Sequence, residues 1–290
     1  MRLYKLVVVG CLALLLSGCN AGTETGQTVT GEVTQAPQVT ATSIPKATQM
    51  PEAEPTATPT PTPEPTPTNT PIPTPTPTEV PLVVAIDAGH QRKGNYDKEP
   101  NGPGSDIMKA KVSSGTAGVS TGIPEYELNL AVSLYLKEEL VARGYEVVMI
   151  RETHDIDISN VERAQVANEV GADAFIRVHA DSSDNASAKG VMTICQTPEN
   201  PYNAEWYEES KLLSELVLEE VVEITGAKKR YVWETDTMTG INWTTVPTTI
   251  LEMGFMSNPE EDELLATEEY RKKIATGVAN AIDRYLGKTE

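Results

Sequence analysis

Three titratable side chains stand at or near the ends of apolar runs. His90 follows "VVAIDAG", His179 lies in "FIRVHAD", and Glu252 lies in "TTILEMGF". A buried polar group of this kind costs free energy unless it has a partner. In open α/β sheets, ligand sites gather at the carboxyl ends of the strands. A lone histidine at a strand end is usually structural, but three such groups that converge on one edge predict a functional site.

A catalytic zinc ion would account for this set. Such an ion takes three protein ligands, often two histidines and one carboxylate, and keeps a fourth position for water. The chain has three histidines. His154 lies in the polar turn "RETHDID" and is expected in a solvated loop, which leaves His90 and His179. The 42 acidic residues leave the carboxylate ligand open.

A serine or cysteine nucleophile is the weaker hypothesis. The sequence contains no "GxSxG" motif,. Cys11 and Cys19 lie near the N-terminus, so Cys195 is the remaining cysteine of the folded part and has no partner for a disulfide. Cys195 lies in the apolar run "VMTIC" and is expected in the core rather than in a reactive position.

Apolar runs alternate with amphipathic stretches from residue 81 onward. The pattern predicts an α/β fold: a single domain, residues 81–290, with a twisted, mostly parallel or mixed sheet and helices on both faces. Ser159 or Asn160 is expected to cap the second helix. The predicted strands are 81–87, 145–151, 173–181, 189–196 and 246–255, and the predicted helices are 126–144, 159–172, 204–226 and 270–287.

Residues 1–19 have the pattern of a lipoprotein signal peptide. Arg2 and Lys5 precede the apolar run "LVVVGCLALLL",. This run is shorter than the roughly 20 apolar residues that a transmembrane helix needs. "LSGC" at its end resembles a bacterial lipobox, in which Cys19 becomes the lipid-modified N-terminus. The alternatives are an ordinary signal peptide and an uncleaved anchor. A lipid on Cys19 would hold the protein on a membrane without spanning it.

Residues 20–80 are expected to form a disordered Pro/Thr-rich linker. The segment contains "PEAEPTATPTPTPEPTPTNTPIPTPTPTEVP" and offers little apolar surface to offset the entropy of ordering,. Extended polyproline II at about 3.1 Å per residue would give the linker a reach on the order of 150–190 Å. Such a segment is either a spacer or a passive tail.

The charge of the chain bears on its partners. A formal net charge of −19 argues against nucleic acid as a partner,. The sequence shows no repeat or second domain, and a monomer is expected.

The ordered set of motifs resembles a known family. "IDAGH", "PEYELNLAVSLYLKEEL", "GYEVVMIRE", "ERAQVAN", "FIRVHAD" and "LEMGFMSNPEED" occur in the order typical of the zinc-dependent N-acetylmuramoyl-L-alanine amidases of the Amidase_3 family. The resemblance covers residues 82–286. It implies hydrolysis of the amide between N-acetylmuramic acid and L-alanine of the peptidoglycan stem peptide. Together with the lipobox-like "LSGC", this substrate implies an extracytoplasmic bacterial enzyme, lipid-anchored to the membrane and facing the cell wall.

The resemblance also implies roles for particular residues. His90, Glu125 and His179 correspond to the family's Zn²⁺ ligands, and Glu252 to its catalytic glutamate. Glu127 is the competing carboxylate, two residues after Glu125. Two other functions stay open: a different zinc peptidase or hydrolase on a related fold, and a non-catalytic cell-wall-binding lipoprotein.

The sequence departs from the family pattern at three places. Gln91 and Arg92 follow His90 where the family has glycines, and the Gly/Ser-rich segment that leads to Glu125 is long. That segment either folds over the cleft or forms a solvated loop. Arg177 stands where many members have serine, on the same face of its strand as His179. It either pairs with a carboxylate near the metal or contacts an acidic group of the substrate.

Three further residues near the motifs have expected roles. Asp87 is expected to support the site or form a turn rather than bind the metal. Gly89 would let the backbone pass close to the metal. Asn258 is expected to cap the next helix.

Overall fold

The computed structural model describes residues 81–288, which form an α/β domain. Its strands are β1 (Val83–Ala88), β2 (Asn95–Pro100), β3 (Met108–Val112), β4 (Glu146–Met149), β5 (Ala174–Asp181), β6 (Val191–Cys195), β7 (Lys229–Glu234) and β8 (Thr248–Phe255). Its helices are α1 (Glu125–Ala142), α2 (Asn160–Glu169), α3 (Tyr207–Thr225), α4 (Thr239–Asn242), α5 (Pro259–Leu265) and α6 (Glu268–Tyr285).

The main sheet is mixed but mostly parallel, as predicted. Its strand order is β4-β1-β5-β8-β6-β7. All neighbours pair parallel except β6 and β8, which pair antiparallel. The carboxyl ends of β1, β5 and β8 therefore lie side by side at one edge. His90 follows β1, while His179 and Glu252 lie near the ends of β5 and β8.

Helices cover both faces of the sheet, which confirms the predicted architecture. On one face α1, α3 and α6 pack over the larger apolar cluster, which includes Val84 and Ile86 of β1. Ala85 points to the other face and packs in a smaller cluster with residues of α2. This alternation along β1 follows from the two-residue repeat of a strand.

Two predicted helix caps are present. Ser159 Oγ accepts a hydrogen bond from the Glu162 amide (3.2 Å), and Glu162 Oε2 accepts one from the Ser159 amide (2.7 Å). This reciprocal capping box makes Ser159, rather than Asn160, the cap of α2. Asn258 Oδ1 accepts from the amides of Glu260 and Glu261, so Asn258 caps α5 as expected.

The long segment before α1 is not a plain solvated loop. It contains the antiparallel hairpin β2–β3, which the sequence pattern did not predict. "NYDKEP" and "MKAKV" lack a clear apolar alternation, so the hairpin depends on contacts with the rest of the domain. Asn101 at its tip donates to the carbonyl oxygen of Asp236 (3.1 Å) and accepts from Thr239 Oγ1 (3.2 Å).

The signal peptide and linker predictions, residues 1–19 and 20–80, lie outside the described residues. Within residues 81–288, no helix combines the length and apolar character that a membrane crossing requires.

Candidate metal centre and catalytic cleft

The structure brings three of the predicted site residues into one cluster. His90 Nε2 lies 3.1 Å from Glu125 Oε1. His179 Nδ1 lies 3.4 Å from the same oxygen and 3.2 Å from His90 Nε2. Three potential ligand atoms from three separate elements therefore form a nearly equilateral triangle.

The dimensions and chemistry of this triangle fit a zinc ion. Ligands about 2.0–2.1 Å from a tetrahedral zinc lie about 3.3 Å from one another. The His90 Nδ1–H donates to the Ser113 carbonyl (3.0 Å), so Nε2 carries the lone pair. That lone pair faces a carboxylate oxygen, and a cation between the two acceptors would satisfy both.

The backbone at the end of β1 presents His90 to the cluster. His90 has φ 61°, the only positive value of a non-glycine among the described residues. Left-handed backbone is uncommon for a residue with a side chain and often marks a functional position. Gly89 lies directly before it, and a Cβ at Gly89 would overlap the ring of His179. Glycine is therefore required here for the close approach.

Glu125 is held by hydrogen bonds at the start of α1. Its Oε1 accepts from Asn129 Nδ2 and from the Ala180 amide, both at 3.2 Å, and its Oε2 accepts from the Thr116 amide (3.0 Å). Burial opposes ionisation, but the contacts with His179 and His90 outweigh it and hold the pKa of Glu125 well below its usual range. The carboxylate is therefore ionised and oriented.

The competing carboxylate points elsewhere. Glu127 is exposed and accepts a hydrogen bond from the hydroxyl of Tyr126 (3.2 Å). Two residues along a helix correspond to a rotation of about 200°, which places Glu125 and Glu127 on different faces. Glu127 is thus outside the cluster.

His179 is neutral at physiological pH. Burial lowers its pKa to about 4, although Glu125 acts in the opposite direction. Neutral imidazole is the form that binds metal ions. Its other ring nitrogen, Nε2, is buried and has no hydrogen-bond partner in the described part of the chain.

Glu252 lies directly beside this cluster. It is the register partner of His179 across β5 and β8. Its Oε2 is buried and accepts no hydrogen bond from residues 81–288. Burial raises the pKa of Glu252 well above its usual value, and the charges of Glu125 and Asp181 raise it further. A carboxyl group with a raised pKa holds its proton more readily than an ordinary glutamate, as a general acid must.

Asp87 is not part of the cluster but supports it through two arginine side chains. It is fully buried within β1, where Oδ1 accepts from Arg163 Nη1 (2.7 Å) and Oδ2 from Arg177 Nε (3.0 Å). Arg163 also donates to the His90 carbonyl oxygen (3.1 Å). Asp87 therefore acts through Arg163 on the turn that carries His90. Of the two interpretations of Arg177, the structure shows the pairing with a carboxylate near the cluster, that of Asp87.

A cleft of about 340 Å³ opens onto these groups. His90, His179 and Glu252 are among the residues that line it. Lys109 and neighbouring residues of the β3 segment also line it, as does the segment that leads into α4. The long segment before α1 therefore contributes residues to the cleft. This agrees better with a segment at the cleft than with a solvated loop, the two alternatives that the sequence left open.

A comparison with protein families identifies the chain. A sequence profile of the N-acetylmuramoyl-L-alanine amidase family (Amidase_3) matches residues 84–284, which is nearly the whole described domain. The chain belongs to this family. The amidase therefore has the enzyme class that its ordered motifs indicated.

Individual proteins resemble the chain in sequence or in fold. The amidase is 31% identical over 170 residues to the uncharacterized protein YqiI of Bacillus subtilis, a match covering 59% of this chain and 78% of that protein. It is 26% identical over 214 residues to N-acetylmuramoyl-L-alanine amidase Rv3717 of Mycobacterium tuberculosis, covering 71% and 86%. The crystal structure of the amidase Ami1 from Mycobacterium smegmatis has the same fold, with a TM-score of 0.64, 24% identity, and 72% and 98% coverage.

Sequence reasoning missed several residues that hold the amidase site together. Asn129 is fully buried and connects Glu125 to the Gly89 carbonyl oxygen (3.2 Å). Gln91, a departure from the family pattern, is also buried, and its Oε1 accepts from Arg163 Nη2 (3.0 Å). The sequence did contain a signal that could have identified such residues. Asn129 is a polar residue on the apolar face of the predicted helix, one turn after Glu125, where it can reach the Glu125 side chain.

Two other sequence expectations concern residues outside the amidase cluster. Cys195 is buried, and burial raises the pKa of its thiol to about 11, which agrees with a core position. His154 does lie in a loop, but it is half-buried rather than freely solvated. Its ring packs edge-on against Tyr126 with 5.3 Å between centroids, which explains the difference.

Proposed function

We propose that this amidase is zinc-dependent and cleaves the amide between the lactyl group of N-acetylmuramic acid and L-alanine of the stem peptide. The observation that carries the zinc assignment is the triangle of His90 Nε2, Glu125 Oε1 and His179 Nδ1, with edges of 3.1–3.4 Å. Family membership supports the choice of bond.

The protein's own residues would perform the remaining steps. Zinc, when bound by His90, Glu125 and His179, supplies Lewis acidity that lowers the pKa of water toward about 7 and polarises a carbonyl oxygen. Glu252 accepts the proton of the attacking water and later delivers it to the nitrogen of the leaving L-alanine. Its raised pKa supports this exchange, because the group must be both base and acid in one cycle.

The N-terminal segment would provide the location. Cys19 carries the lipid in this proposal, residues 20–80 form the spacer, and the domain acts outside the cytoplasm as a monomer. Tethering near the wall raises the local concentration of substrate and replaces a separate wall-binding module. The resemblance of "LSGC" to a lipobox supports the anchor.

One pair of measurements tests the enzymatic proposal. Purified full-length protein is analysed for metal, and peptidoglycan digested by it is examined by mass spectrometry. We expect one zinc per chain and stem peptides that begin with a free L-alanine amine. Cleavage within the peptide would indicate a different zinc peptidase, and the absence of both zinc and products would favour a binding protein without activity.

A further inference from the structure

Three buried arginine side chains lie close to the cleft, on the backbone around His90 or in the cleft lining. Arg151, Arg163 and Arg177 are each at most 3% exposed. Asp87 accepts from two of them, whereas Arg151 donates to backbone carbonyl oxygens only, such as those of Ala88 and Gly89. This positive charge is unusual in a chain whose net charge is −19.

Buried carboxylates also lie near these arginines. Asp87 pairs with two of them, Glu99 is close enough to act on the charge of Arg177, and the ionised Glu125 lies in the cluster itself. Arg177 is the one of the three arginines that lines the cleft, so it is the one placed to meet an anionic group on a bound ligand,.

Arg177 presents part of its guanidinium to the cleft in a fixed orientation. Its Nε donates to Asp87 Oδ2 (3.0 Å) and its Nη2 to Asn160 Oδ1 (2.9 Å). Nη1 makes no hydrogen bond to any of residues 81–288 and packs against Gly240, where a Cβ would overlap it. Arg177, Asn160 and Gly240 all line the cleft. A preorganised donor of this kind binds an acceptor at little entropic cost.

Lys109 adds a second cation to the same cleft. It is exposed in β3 and lines the cleft together with Arg177. It stands opposite Glu99 in the hairpin register but forms no ion pair within the described residues. Lys109 lies in β3, within the long segment between His90 and Glu125.

The spacing along β5 indicates which anionic group these cations could reach. Arg177 and His179 are two residues apart on one face of the strand, a separation of about 6.6 Å. The residue after L-alanine in a stem peptide is a γ-linked D-glutamate, whose α-carboxyl group is either free or amidated. Its carboxyl carbon lies two residues beyond the scissile carbonyl carbon, which corresponds to about 7 Å in an extended chain.

We propose that Arg177 and Lys109 bind the free α-carboxylate of this D-glutamate and so make the enzyme selective for stem peptides that are not amidated there. This inference rests on the proposed cleavage site at the muramoyl–L-alanine bond. Arg177 supplies the oriented donor, and Lys109 adds a second positive charge to the same cleft.

The test compares two substrates that differ in one group. Muramoyl-L-alanyl-γ-D-glutamyl-L-lysine and its α-amide are cleaved by full-length, zinc-loaded protein, and the ratio of their kcat/KM values is measured. We expect the wild type to prefer the free carboxylate by about tenfold, the change produced by 1.4 kcal/mol. Arg177→Gln should bring the ratio close to one, and Lys109→Gln should lower it about two- to threefold because its charge is screened by solvent.

Controls separate recognition from folding. Lys93→Gln removes the same charge from an exposed residue of the same segment that does not line the cleft, and it should keep the wild-type ratio. Arg177→Gln also removes a partner of Asp87, so circular dichroism and zinc content accompany it. The surface variant Lys109→Gln tests the proposal even when Arg177→Gln does not fold.

The outcomes are distinguishable. Equal cleavage of the two substrates by the wild type, or a preference that both variants retain, would overturn the carboxylate site while leaving the proposed function intact. Failure of the wild type to cleave either substrate at the muramoyl–L-alanine bond would overturn the proposed function and the selectivity together.

Discussion

His179 and Glu252 are register partners in the adjacent parallel strands β5 and β8. Strands in a sheet lie about 4.8 Å apart, so the candidate proton carrier stands one strand away from a candidate zinc ligand. The ladder of backbone hydrogen bonds sets this separation, and no loop has to close to assemble the pair.

Glu252→Gln should abolish catalysis while leaving metal binding intact. The amide cannot accept and return a proton, so kcat should fall by about 10²–10⁴-fold. Because Glu252 is not in the triangle of ligand atoms, zinc content should stay at the wild-type value. Release of stem peptides and metal analysis on the same preparation check both statements. Substantial activity in this variant would exclude Glu252 as the proton carrier.

Glu125→Gln should weaken zinc binding, whereas Glu127→Gln should not. The two carboxylates are two residues apart in α1, but only Glu125 lies within reach of His90 and His179. Zinc affinity measured by competition with a chromogenic chelator compares the two variants directly. A larger loss for Glu127→Gln would mean that the helix presents the other carboxylate to the metal.

Asn129→Ala should lower zinc affinity about 10- to 100-fold, which is the usual effect of removing a group that orients a ligand. Asn129 Nδ2 donates to both Glu125 Oε1 and the Gly89 carbonyl oxygen. Ser133→Ala is the matched control, because Ser133 lies one turn further along the same buried face and its hydroxyl has no partner in the described structure. Equal affinities for the two variants would show that Asn129 serves packing alone.

Asp87→Asn should destabilise the protein at neutral pH, and the destabilisation should fade in acid. Although burial opposes ionisation, Arg163 and Arg177 hold the pKa of Asp87 far below its usual value. Its stabilisation is therefore complete above the unfolded-state pKa of about 3.9 and is lost as the pH falls below it. Removing one partner of a buried pair costs about 3–5 kcal/mol.

Urea unfolding of wild type and Asp87→Asn between pH 8 and pH 3 measures this effect. The difference in unfolding free energy should be constant down to about pH 4 and then shrink. A difference that stays constant to pH 3, or grows in acid, would contradict an ionised Asp87 in the folded state.

Cys19→Ala should move the protein from the membrane fraction to the medium without changing its activity in solution. Lipid attachment requires the cysteine thiol, and the domain that carries the site begins more than sixty residues later. Fractionation of expressing cells and an assay of the released protein check this. Retention of the variant in membranes would favour an uncleaved apolar anchor instead.

The order and type of most elements could be predicted from the sequence, because local patterns determine them. The apolar runs that became β1, β5 and β8, and the amphipathic repeats of α1 and α6, need no distant contact to be recognised. The caps at Ser159 and Asn258 are equally local. The β2–β3 hairpin was not predicted, since its polar strands acquire their partners from the loop before α4.

The sequence by itself determined which kinds of side chain stand at the strand ends and, through its ordered motifs, the family to which the chain belongs. The motifs favoured Glu125 over Glu127, and the tertiary structure decided that Glu125 is the one that faces the two histidines. It also decided that Arg177 is oriented by Asp87, and that Lys109 faces the cleft. These relationships join residues that are far apart in the chain, so they depend on strand order and helix rotation. No short-range pattern of residues encodes those quantities.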